Sequence, residues 1–232
     1  MIEVRPFASL GGANHGWLDA RHHFSFAGYY NPGRMGWGKL RVWNDDLIQP
    51  GTGFPAHPHR DMEIITYVRT GAITHQDSMG NNGRTSAGDV QVMSAGSGVL
   101  HAEHNLEPGP TTLFQIWIEP DRLGGQPSWG AREFPKSART GQWSILASGK
   151  GDPDALAIRA DARVIGATLD EGQELSYKPE PRRHIYFALA VGALAVNGRR
   201  VNARDGVAIK DEPRLVFKAF EAPVEIVLTD TQ

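Results

Sequence analysis

The sequence predicts an all-β protein built as a sandwich or barrel. Three observations carry this. Short apolar runs alternate with turn signals roughly every ten residues. Helical periodicity is hard to find. Glycine (27) and proline (15) are plentiful, which favours many turns over long helices.

The strands follow in order. Gly38 to Trp43 comes first. Met62 to Arg69 is rich in β-branched and aromatic residues, and Gly71 turns it into Ala72 to Gln76. Asp89 to Met93 and Thr112 to Ile118 complete the first half. The second half supplies Trp143 to Ala147, Ala162 to Leu169, His184 to Val191, Ala193 to Val196, Val207 to Lys210, Arg214 to Ala219 and Val224 to Thr229. Asn197-Gly198 sits between two apolar runs and is a strong type I′ hairpin signal. Between the halves, Glu119 to Pro135 holds Pro120, Gly124, Gly125, Pro127, Gly130 and Pro135 and shows no strand pattern. It reads as a connector. The expected division is an N-terminal domain over 1–119, a connector over 120–136 and a C-terminal domain over 137–232.

The two halves also read as degenerate copies of each other. Placing Gly71 over Gly192 aligns Thr70-Gly71-Ala72-Ile73 with Val191-Gly192-Ala193-Leu194. Ala87-Gly88-Asp89-Val90 then resembles Ala203-Arg204-Asp205-Gly206. At this offset His57 and His59 fall over Lys178 and Glu180, and His101 and Glu103 fall near Phe217 and Ala219. The second copy is expected to keep the barrel and to lack a metal site.

The formal net charge is −2, and acidic and basic residues are interspersed. No basic stripe offers a footprint for nucleic acid. The chain has no cysteine, so disulfides, thiolate metal sites and thiol redox chemistry are excluded. No apolar run approaches the roughly 18 to 20 residues that span a bilayer. The N-terminal Met-Ile-Glu-Val-Arg-Pro-Phe lacks a signal-peptide pattern, and the cytoplasm is the expected compartment.

The chemistry concentrates in two short pairs, His57-Pro58-His59 and His101-Ala102-Glu103. On a strand the i, i+2 spacing puts both side chains on one face. Two such strands can meet around one ion. Three imidazoles and a carboxylate suit iron, manganese, nickel, copper or zinc better than calcium or magnesium. Four protein ligands in an octahedral shell leave two positions open, the mark of a reactive site rather than a closed structural one. Glu63 also has the right parity relative to His59, so the identity of the carboxylate ligand stays open on spacing alone. His104 alternates away from the metal, and His75 is a candidate cavity residue. His15, His22, His23 and His184 read as structural. Arg21 to Tyr30 reads as core packing, with a hydrophobic lid as the alternative. The tryptophans at 37, 43, 117, 129 and 143 read as core or inter-domain packing, and Arg182-Arg183 and Arg199-Arg200 as solvated surface.

Gly51-x5-His57-x-His59-x3-Glu63-x7-Gly71 resembles the first cupin motif. Gly88-x7-Gly96-x4-His101-x3-Asn105 resembles the second, with Ser94 where proline is usual. The wider text, Leu40 to Asp46, Pro55 to Glu63 and Ala95 to Glu103, resembles the pirin family strongly over residues 1 to 120. The C-terminal half resembles it by architecture. This resemblance implies two tandem cupin (jelly-roll) β-barrels, the C-terminal one degenerate. It implies a single divalent transition metal, iron first, held by His57, His59, His101 and Glu103, with Glu63 outside the ligand set but placed to orient an imidazole. It further implies an oxidoreductase similar to quercetin 2,3-dioxygenase, acting on a flavonol-like aromatic substrate and dioxygen; at such a site Glu103 is the natural catalytic proton acceptor if its carboxylate can move between metal and substrate. The alternative it implies is a non-enzymatic redox sensor or regulatory cofactor with a protein partner.

Overall fold

Strand pairing organises the whole chain. The computed structural model describes residues 1–232. The first half contains β1 (Ile2–Arg5), β2 (Gly11–Asn14), β3 (Leu18–His22), β4 (Leu40–Ile48), β5 (Thr52–His59), β6 (Glu63–Thr70), β7 (Ala72–Asp77), β8 (Asn82–Ser86), β9 (Val90–Ser94), β10 (Val99–Asn105), β11 (Thr111–Ile118) and β12 (Ser128–Arg132). The second contains β13 (Ser144–Ser148), β14 (Leu156–Ala157), β15 (Ala162–Leu169), β16 (Glu174–Tyr177), β17 (His184–Val196), β18 (Arg199–Asn202), β19 (Gly206–Ile209) and β20 (Leu215–Thr231). Only two single 3₁₀ turns interrupt them, Phe7–Ser9 and Lys136–Arg139. No helix is long and apolar enough to cross a membrane.

The first barrel pairs a seven-stranded sheet, β12-β9-β6-β11-β4-β3-β2, with a four-stranded sheet, β5-β10-β7-β8. Alternation decides what each face of the larger sheet does. Ile65 and Tyr67, Val90 and Val92, Phe114 and Ile116, and Trp43 point out of the barrel. They join Leu146, Ala147, Val164, Tyr186, Ala188 and Val227 in a cluster of 21 buried residues shared by both halves. The opposite parity puts Thr66, Gln91, Gln115 and Asp46, all buried, on the other face. Hydrophobic packing therefore binds the barrels to each other, and the interior of the first combines these polar residues with two smaller apolar clusters, one around Val68, Ile73 and Leu113 and one around Ile64, Met93 and Val99.

The second barrel is one curled nine-stranded sheet. The runs expected as separate strands at His184 to Val191 and Ala193 to Val196 form the single strand β17, bent by register shifts around Gly192. Gly192 has φ 86°, and its counterpart Gly71, between β6 and β7, has φ 74°. The second expected match has the same geometry, with Gly88 at φ 93° and Arg204 at φ 71°. Asn197 (φ 44°) and Gly198 (φ 79°) make the expected hairpin turn.

The pairing register corrects one part of the alignment. His57 is the cross-strand partner of His101, and His59 of Val99. In the second barrel Leu175 is the partner of Phe217, and Tyr177 of Leu215. Leu175 and Tyr177, not Lys178 and Glu180, thus occupy the places of His57 and His59. The correspondence sets Phe217 and Ala219 in the places of His101 and Glu103. All four join the apolar filling of the second barrel.

Two further differences concern pairing at a distance. The stretch from Glu119 to Pro135, read as strandless, contains β12, which pairs with β9 from Ser128↔Ser94 to Arg132↔Val90. It is an edge strand with a single large apolar residue, so no alternation announces it. At the other end β1 pairs with β19 of the second barrel, Ile2↔Ile209 to Arg5↔Gly206. Arg183, read as solvated, is buried and forms ion pairs with Asp161 and Asp230.

Candidate metal centre

β5 and β10 run antiparallel as neighbours in the four-stranded sheet. Their register sets His57 opposite His101, with His59 opposite Val99 and, after a register shift, Glu103 opposite Phe54. Ring nitrogens of His57, His59 and His101 lie within 4.8 Å of one another. His57 Nε2 and His101 Nε2 are 3.0 Å apart. The other nitrogen of His57 is engaged: Nδ1–H donates to the Pro55 carbonyl at 2.7 Å. His59 stands edge-on to Trp117, with ring centroids 5.0 Å apart. Burial, then the neighbouring imidazole of His57, holds the His59 pKa down to about 4. Burial and the same kind of crowding hold His101 down to about 2. Both rings are neutral at pH 7, the form that binds a metal.

Glu103 is 2 % exposed. Its carboxylate belongs to an overlapping cluster with His75 and His101, again within 4.8 Å. His101 is the residue common to both clusters. Gln91 Nε2 donates to Glu103 Oε1 at 2.7 Å, and Gln115 Nε2 donates to Oε2 at 2.8 Å. Thr66 Oγ1 donates more weakly to Oε1 at 3.4 Å. Burial outweighs these donors and pushes the Glu103 pKa up to about 7. Glu63 is buried elsewhere. Its Oε2 accepts from Ser94 Oγ at 2.6 Å, and no hydrogen bond joins it to an imidazole. The imidazole-orienting role expected of Glu63 falls to other groups.

One of those groups is His75. Its Nε2 lies 3.0 Å from Asp77 Oδ2 and its Nδ1 lies 3.4 Å from His101 Nδ1. Trp129 of β12 stacks on the ring at 4.9 Å with an interplanar angle of 9°. Trp117 and Trp129, read as packing residues, thus lie against the histidine cluster.

A cavity of about 310 Å³ reaches the cluster through Gln115, the donor to Glu103, and Phe54, beside His57, and is lined also by Trp17, Leu18, Phe26 and Asp46. Phe54 lies 6.1 Å from the His57 ring, and Phe26 stands edge-on to Trp117 at 5.4 Å. His15 and His22 also line this cavity, outside both histidine clusters. Of the aromatic segment from Arg21 to Tyr30, Phe24 is core between the barrels and Phe26 is cavity wall. Gln91 and Gln115 were missed in the sequence reading. A signal existed, since each is a lone amide inside an apolar strand, Val-Gln-Val and Phe-Gln-Ile.

The donor set fits a transition-metal ion. Two cis nitrogens bound at about 2.1 Å stand about 3.0 Å apart, the separation seen between His57 and His101. The His59 and His101 rings are neutral, His57 is oriented by a carbonyl, and a buried carboxylate lies beside His101. These are the features that a first coordination sphere and its supports require.

Comparison with known proteins agrees. The family model described as Pirin matches residues 3–118, and the model described as Quercetinase C-terminal cupin domain matches residues 145–231. A protein named Pirin-like protein from Caulobacter vibrioides is 62% identical over 231 residues, covering 99% of each chain. A protein named Quercetin 2,3-dioxygenase from Escherichia coli is 40% identical over 233 residues, covering 99% of this chain and 98% of its own. The crystal structure of the bacterial pirin YhhW from Escherichia coli in complex with nickel(II) superposes with a TM-score of 0.92 at 38% identity, covering 100% of this chain and 99% of that one. With both cupin barrels matched along nearly the whole length, the chain belongs to the pirin family as a bicupin.

Proposed function

We propose that this protein is a metal-dependent dioxygenase that oxidatively cleaves a flavonol-like substrate at a single site formed by His57, His59, His101 and Glu103. The observation that carries the reading is the gathering of the His57, His59 and His101 ring nitrogens within 4.8 Å, with the buried Glu103 carboxylate grouped beside His101, near a cavity with aromatic walls. The nearby names, Quercetin 2,3-dioxygenase at 40% identity and a nickel-bound pirin, support the reaction class and the metal class. Iron(II) is the first choice of ion, with nickel, manganese, copper and zinc compatible with the same ligands.

A bound ion of this class supplies acidification of a coordinated hydroxyl and access to redox chemistry. The protein supplies the rest. Trp17, Phe26 and Phe54 present an apolar slot for a flat ring system, within the size range of small-molecule sites. Glu103, buried beside His101, is the carboxylate placed to accept the proton of an enolic hydroxyl. Gln91 and Gln115 hold that carboxylate in place from two sides, so proton transfer proceeds without reorganising the site.

The test is direct. Metal-loaded protein incubated with quercetin in air should consume the flavonol absorbance band with release of carbon monoxide. Metal-bound protein that leaves flavonols untouched across this class would sink the reading and favour a sensor.

A further inference from the structure

We propose that Asp77 and His75 are positioning residues that hold the proton of His101 on Nδ1 and so turn its Nε2 lone pair to the metal. The inference rests on the metal-centre reading above and deepens it.

The argument runs inward from Asp77. Its Oδ1 accepts from the backbone amides of Met79 at 2.9 Å and Asn81 at 3.0 Å, and its Oδ2 accepts from Asn81 Nδ2 at 2.9 Å. A carboxylate fed by three donors is an acceptor only, so the fourth contact, from His75 Nε2 at 3.0 Å, is an N–H donating to Oδ2. The neutral His75 ring then presents a bare Nδ1, 3.4 Å from His101 Nδ1. Two bare lone pairs do not face each other in a buried site. The proton between the rings therefore belongs to His101 Nδ1, in a long hydrogen bond. That leaves His101 Nε2 unprotonated, 3.0 Å from His57 Nε2.

His57 reaches the same tautomer by a different route, donating Nδ1–H to the Pro55 carbonyl. A carbonyl orients one ligand and an Asp–His pair orients the other. Trp129 completes the second device by stacking on His75. The stack needs Gly83, because a side-chain Cβ there would lie 2.2 Å from the Trp129 ring. β12, in the stretch between the barrels, thus supports a ring that supports a ligand.

Three variants and two readouts test this. In zinc-loaded, ¹⁵N-labelled protein, long-range proton–nitrogen spectra should show His101 coordinated through Nε2, with an exchange-protected Nδ1–H. His75→Phe keeps the stack on Trp129 but removes the acceptor. It should weaken nickel(II) affinity in calorimetry by roughly 10- to 100-fold and expose that proton to exchange. His75→Gln returns an acceptor oxygen and should recover most of the affinity. If His75→Phe fails to fold, Asp77→Asn serves instead, since its amide can turn a donor toward His75 and should also weaken nickel binding. Coordination of His101 through Nδ1, or unchanged affinity in His75→Phe or Asp77→Asn, overturns the proposal. Wild-type protein that binds no metal at all defeats the metal-centre reading itself, a distinct outcome.

Discussion

Leu175 faces Phe217 in the second barrel at the same strand register at which His57 faces His101 in the first. One pair is packed among apolar side chains and the other carries four ring nitrogens. At these positions one barrel is packed with apolar side chains and the other carries histidines. Elemental analysis should accordingly find one transition-metal ion per chain. His101→Ala, which removes the residue common to both ligand clusters, should abolish stoichiometric binding while the far-ultraviolet spectrum stays β-rich. Two ions per chain, or full occupancy in His101→Ala, would contradict the ligand assignment.

The two buried glutamates should separate in function. Glu103 lies in a ligand cluster under two amide donors, whereas Glu63 is tied to Ser94. Glu103→Gln should lower flavonol turnover by roughly 100-fold, the usual scale for losing a proton-transfer group. Glu63→Gln should change it little. Steady-state rates at matched metal occupancy decide the ranking, and the reverse order would point to Glu63 as the working carboxylate.

Acid should destabilise the metal-free protein through its histidines. His59 and His101 have folded pKa values of about 4 and about 2, against an ordinary 6.5. The unfolded chain therefore binds protons first as pH falls, and stability drops progressively from about pH 6.5 through pH 4. Glu103 acts in the opposite sense. Its raised pKa makes the folded state the stronger proton binder between about 4.5 and 7, so it lowers stability as pH rises through that window. Denaturant midpoints measured from pH 4 to 7 should therefore rise more steeply in metal-free Glu103→Gln than in the metal-free wild type. Parallel curves would show that Glu103 does not titrate there.

The barrels should unfold as one unit. Trp43 is fully buried in the cluster they share, against Phe114 at 5.4 Å and Tyr186 at 5.5 Å. Trp43→Ala should cost about 3–5 kcal/mol, the range for emptying a large aromatic site. Chemical denaturation should still show a single transition. Two resolved transitions in the wild type would mean that the shared cluster does not couple the halves.

Much of this was legible in the residues. Short apolar runs, glycine corners and Asn197-Gly198 predicted the strands and turns, because local backbone preference is written locally. The parity of His57, His59, His101 and Glu103 placed each pair on one face, because strand alternation is a property of the chain itself. Tertiary structure alone decided what each face meets. It paired β12 with β9 and stacked Trp129 on His75. It gave Glu103 two glutamines, left Glu63 with a serine, and put Leu175 where the sequence suggested Lys178. Those outcomes depend on register and on contacts between distant strands, which no local pattern encodes.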